Sequence, residues 1–174
     1  MTVPKKSYKP SLEEDRAAEM YFERRKRKPP LPSVNAKIVD GVAEVSVDHP
    51  DQEVGFTMLN AATGSSDGAF LNGLIAQVLN ASRSSGEINQ HNVNFMFSVV
   101  ADIEPQDQLE AMLATQMAAI HMATMTFANR LASVENIPQQ DSAEKALNKL
   151  ARTFATQMEA LKRYRNGGEQ KMTV

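Results

Sequence analysis

Arg24, Arg25, Lys26, Arg27 and Lys28 are five consecutive cations, followed at once by Pro29-Pro30-Leu31-Pro32. Such a run can dock on phosphates through charge and counterion release, the sequence-independent part of nucleic-acid binding. The competing reading is a solvated tail that keeps the protein soluble or contacts the chain's own acidic body. No aromatic interleaving and no base-reading motif accompanies the run. A nucleic-acid partner, gripped by these five residues, is therefore the alternative expectation and not the leading one.

Met117, His121 and Met125 stand at i, i+4 and i+8, with Met112 and Met122 nearby. Thioethers beside an imidazole suit a soft ion such as Cu(I). Met117 also falls on an apolar seam, however, and methionine commonly fills irregular gaps in helical cores. The expectation is a core stripe with no metal. His49, His91 and His121 fall on three different expected elements, and general acid–base work needs a base oriented within a cleft. The sequence has no nucleophile elbow, no glycine-rich phosphate loop and no paired metal-ligand spacing. With no cysteine there is no thiolate ligand, nucleophile or disulfide. The expectation is a protein that is not an enzyme and carries no cofactor.

These residues must be positioned by a chain of 174 residues, enough for one core with appendages. Hydrophobic residues make up 42% of it but aromatics only 6%, with ten Met and no Trp, so the core is Leu, Val, Met and Ala. That composition suits helix-on-helix packing. The opening residues lack the apolar stretch of a signal peptide, and no apolar run approaches the roughly 20 residues that span a bilayer. A soluble, cytoplasmic protein with no membrane partner is expected. Residues 1–35 hold nine Lys/Arg against five Asp/Glu, and the rest of the chain ten against sixteen, which sets a basic arm on an acidic body.

The arm, residues 1–35, is charged and proline-rich. A helix over 12–27, with Ser11 as N-cap and Glu14 closing a capping box, has only a thin apolar face of Leu12, Ala17, Met20 and Tyr21. Alone it is marginal, so disorder is expected there. The domain proper spans 36–174. β-Branched residues broken by Asp40-Gly41 predict a hairpin at 36–47, which must lean on helices or on another chain's sheet. Helices are predicted at 51–62, with Val54, Met58 and Leu59 inward, and at 67–82, on the stripe Phe70, Leu71, Leu74, Ile75, Val78 and Leu79. After a flexible link at 82–86, a further helix at 87–101 is expected to bury Ile88, Val93, Phe95, Met96 and Val99 or Val100.

The last third carries the strongest pattern. Pro105 at a first helical position opens a helix expected at 105–134. Within it Leu113, Met117, Ile120, Thr124, Phe127, Leu131 and Val134 follow at steps of three and four, a heptad seam. Ala111, Ala114, Ala118, Ala128 and Ala132 line a flank beside that seam. Residues 135–140, with Pro138, are expected to break the chain before Asp141 and Glu144 cap a final helix at 141–166. A short link between two long helices makes them antiparallel neighbours. The seam residues Leu113, Met117, Ile120, Phe127 and Leu131 are the candidate interface for a second copy or another protein. The ending Met172-Thr173-Val174 has the apolar–x–apolar form that can add to a sheet edge, beside the ordinary reading of a frayed terminus.

The segment from Gln139-Gln140-Asp141-Ser142 through Leu161-Lys162-Arg163-Tyr164-Arg165-Asn166-Gly167-Gly168-Glu169-Gln170-Lys171, with Glu110-Ala111-Met112-Leu113-Ala114 and Gln116-Met117-Ala118-Ala119 before it, resembles an uncharacterised group of bacterial proteins. That group is met in genomes carrying integrated mobile elements, and the likeness extends more weakly back through Phe70 to Val100. Similar chains continue into a short glycine-containing, strand-like tail, so the resemblance implies either a member that lacks the tail or a truncated form of a longer protein. It transfers no functional residue. The expectation overall is a mainly α protein, with a short β-hairpin, helices and a long antiparallel helical hairpin, acting as an oligomeric scaffold or adaptor of mobile-element or phage-related origin.

Overall fold

The computed structural model describes residues 8–84 and 86–167, which fold as six helices and two small antiparallel β-ribbons. Met172-Thr173-Val174 and the end of the resembling segment lie outside the described residues. The chain divides into two units between Pro30 and Leu31.

The first unit carries α1 (Leu12–Arg27). The helix takes the 12–27 span and the Ser11–Glu14 capping box that the sequence signals. The Glu14 amide donates to Ser11 Oγ at 3.3 Å, and the Ser11 amide donates to Glu14 Oε2 at 2.7 Å. The first turn is acidic and the last basic, so both ends also suit the helix dipole. No residue of α1 is buried, and Met20, Tyr21 and Phe22 stay exposed.

In the second unit β1 (Val34–Val39) pairs with β2 (Val42–Val47), beginning two residues before the predicted start. Asp40 and Gly41 take φ of 50° and 80°, the left-handed pair that a two-residue type I′ turn requires. The earlier start follows from the partner: α4 (Gln90–Ile103) hydrogen-bonds the strand's first residues with its side chains. Val34 and Val47, opposite one another, are fully buried.

Asp51 caps α2 (Gln52–Ala62) and Asp67 caps α3 (Gly68–Ala81), at the starts of the predicted spans. In α2, Leu59 is buried but Val54 is exposed, because Gly55 and Ala62 form the close-approach face instead. A Cβ on Gly55 would lie 2.8 Å from His49 Cβ and nearer still to Val47 Cγ2, so only glycine lets α2 seat on β2. At the 82–86 link β3 (Arg83–Ser84) pairs with β4 (Glu87–Ile88). Helix α4 thus starts three residues late, with Asn89 as cap. It buries Phe97 rather than Phe95, since its inner face is set by contact with β1 and α5.

The final pair is α5 (Gln108–Ser133) and α6 (Ile137–Arg165). Helix α5 begins after Pro105, because the Asp107 carboxylate caps it by accepting from the Glu110 amide. Pro138 does not break the chain. It sits in the first turn of α6, where its missing N–H is not needed, and Asn136 caps by accepting from the Gln139 amide. The core of the unit is Leu59, Val78, Val93, Met96, Phe97 and Ala118 with their neighbours, and α5 packs there against α3 and α4.

Candidate functional site

The α5–α6 hairpin has two unlike halves. Near the body, Glu110 is only 3% exposed, and Arg165 grips both its oxygens: Nε lies 3.1 Å from each and Nη2 is 2.8 Å from Oε2. The same Nη2 donates to the carbonyls of Ile103 and Glu104 at 2.7 and 3.2 Å, which satisfies the end of α4 where Glu104 turns left-handed at φ 52°. Next to this pair the Tyr164 hydroxyl donates to Asp107 Oδ2 at 2.8 Å. The Arg165 guanidinium holds the Glu110 carboxyl below the usual glutamate range, and the Gln106 amide adds to the effect against the opposing cost of burial. The Glu110 amide, with Tyr164 second, lowers Asp107, and the same bond to Asp107 raises the Tyr164 phenol.

Further out the support ends. Helix α5 has 26 residues, about 39 Å at the usual rise. Its last buried residue is Ala118 and Met122 still packs against the core, so the stretch from Ala123 to Ser133, about 16 Å, extends past it. The predicted seam crosses this boundary. Met117 is buried, while Leu113, Ile120, Phe127 and Leu131 are half-buried. Leu147, Leu150 and Phe154 of α6 face them, also half-buried. Antiparallel pairing is marked by Gln157 Nε2 donating to Gln116 Oε1 at 3.3 Å. From Ala119 to Ser142 no described residue is buried. Phe127, with the Arg130 guanidinium 5.3 Å from its ring centre, lines a shallow cavity at the tip together with Val134, Gln139 and Ala143.

The methionine–histidine stripe does not converge on a point. Met117 is buried, Met125 is 56% exposed, and His121 stands between the rings of Phe95 and Phe154 at 5.9 and 6.2 Å. Among the described residues no group of three or more His, Cys, Asp or Glu is arranged to hold a metal ion. The cations Arg24, Arg25, Lys26, Arg27 and Lys28 sit at and just past the end of α1, all exposed, and Lys26 pairs with Glu23 at 2.9 Å. Consecutive residues step about 100° around a helix, so the charge rings the helix end rather than striping one face. No described helix is long and apolar enough to cross a membrane.

Sequence reasoning missed the lock of Asp107, Glu110, Tyr164 and Arg165. The signal lay in the antiparallel register, which brings the acidic start of α5 to the basic end of α6. Comparison with protein-family models, with curated proteins and with solved structures finds no match to the chain.

Proposed function

We propose that the protein is a cytoplasmic interaction protein, a helical scaffold or adaptor that self-associates through the outer half of the α5–α6 hairpin. The observation that carries this reading is the half-covered apolar seam of Phe127, Leu131, Leu147 and Leu150, in a stretch of the hairpin where no described residue from Ala119 to Ser142 is buried. Two helices alone cannot enclose a core, whereas two such hairpins laid together make a four-helix bundle that covers both seams. The likeness of the last helix to a bacterial group found beside mobile elements fits an accessory role of this kind. Light scattering at about 100 µM should give a multiple of the 19.2 kDa chain mass, with Leu131→Asp returning it to one chain. A single-chain mass for the unaltered protein removes the proposal.

The exposed basic ring on α1 favours a second reading, a nucleic-acid-binding factor used in packaging or regulation. Basic residues at a helix C-terminus also serve the helix dipole, so the test is specific. Affinity for a duplex should fall steeply with salt and vanish when residues 24–28 become Ala. Retained affinity in that variant rules the arm out.

A further inference from the structure

The two edges of the β1–β2 ribbon are finished differently. With a two-residue turn, Val39 and Val42 bond to each other, so the backbone groups of Val34, Ala36 and Ile38 point outward from β1 and those of Ala43, Val45 and Val47 outward from β2. Side-chain amides hold three of the six outward groups of β1, those at its start. The Val34 amide donates to Asn94 Oδ1 at 2.8 Å, the Val34 carbonyl accepts from Asn94 Nδ2 at 3.0 Å and from Gln90, and the Ala36 amide donates to Gln90 Oε1 at 2.9 Å. On β2 only Val47 is held, by Gln52, whose Oε1 accepts from its amide at 3.0 Å and whose Nε2 donates to its carbonyl at 2.9 Å. Among the described residues no partner bonds the outward N–H and C=O groups of Ala43 and Val45.

Those open groups border a groove of about 380 Å³ between β2 and α3. Its floor is Phe56, Ile75, Leu79 and Ile88, apolar side chains that are buried or half-buried. Among the described residues Arg83 is the single ionisable one lining it, with an Nη1 bond to the Gly86 carbonyl at 2.9 Å. Asn72 and Asn80 complete the rim.

We infer that this groove binds an extended, acidic peptide segment as a third strand against β2. Three features select that occupant. Open main-chain donors and acceptors at two alternate residues match the ladder of one added strand. The apolar floor receives one of every two side chains of such a strand, as the period of two dictates. The lone guanidinium complements a carboxylate on the partner and repels basic segments. The inference does not depend on hairpin self-association.

The test titrates the full chain into fluorescein-labelled Thr-Val-Thr-Val-Glu and follows anisotropy, with amide NMR to locate contact. Saturable binding below about 1 mM is expected, the weak end of the scale that a short strand reaches, with the Ala43 and Val45 amides shifting most. N-methylation of the peptide at the residues facing β2 should weaken binding at least about tenfold, because it removes ladder bonds without touching the protein. Replacing the peptide Glu by Gln, or Arg83→Ala in the protein, should each cost about threefold, as for a solvent-accessible ion pair. Absence of saturation, equal affinity for the N-methylated peptide, or indifference to both charge changes would each overturn the inference. Light scattering of the same samples separates this outcome from failure of the self-association reading.

Discussion

Where α5 leaves the body, Glu110 is buried under Arg165 and the helix is backed by α3 and α4; further along the same helix, Phe127 and Leu131 lie along α6 and stay half-exposed. One continuous apolar seam therefore serves two purposes. Its inner part is ordinary core, and its outer part is surface. Periodicity cannot distinguish the two, because both obey the same steps of three and four. What separates them is the length of the neighbours: α3 and α4 are 14 residues each, while α5 and α6 run to 26 and 29.

Paired substitutions sharpen the contrast. Phe97→Ala, at a site with no exposure, should cost about 4 kcal/mol of unfolding free energy in a denaturant titration. Phe127→Ala should cost about 1 kcal/mol at low protein concentration, since its ring is only partly removed from water. Equal losses would mean that the outer half is as well packed as the core. Glu110→Ala comes between them. Breaking a fully buried ion pair costs about 3–5 kcal/mol, and because Arg165 keeps 37% of its exposure the loss should be nearer 2 kcal/mol. Arg165→Met in the same background should add little further, as the two residues act as one unit.

The smallest effects follow pH. Glu110 and Asp107 have folded pKa values below their ordinary ones, so their contribution is complete above the usual carboxylate range and drains away as pH falls through the folded values. Tyr164 is raised, so its contribution is complete below the usual phenol value near 10 and is lost as pH climbs through the folded one. Melting temperature should therefore decline on both sides of neutrality. Tyr164→Phe should remove this residue's alkaline contribution, and Glu110→Gln should flatten the acid limb. An unchanged acid limb in Glu110→Gln would place the main acid-sensitive groups elsewhere.

Local grammar carried much of the fold. Asp51 and Asp67 announce their helices within four residues, and Asp40-Gly41 its turn, because a cap or a tight turn is decided by neighbours in the chain. Pro138 was misleading for the opposite reason: the same residue ends a helix in its middle and suits its first turn, and only the Asn136 cap decides which. Phe95 and Phe97 are two steps apart on one helix, so their fates depend on what α4 rests against. The candidate surfaces were less legible. The lock joins residues 55 positions apart, and the amides of Gln90 and Asn94 that close one strand edge look like ordinary polar surface in the sequence.

Those two amides also set a limit on growth. A ribbon open along both edges can add a strand on each side and, with identical copies, propagate without end. Here the Gln90 and Asn94 side chains already hold Val34 and the Ala36 amide, which leaves Ile38 beside the turn as the one wholly unheld outward residue of β1. A lone residue cannot set a register. Growth of the ribbon is then one-sided: with β1 closed, a further strand can join only from the β2 side.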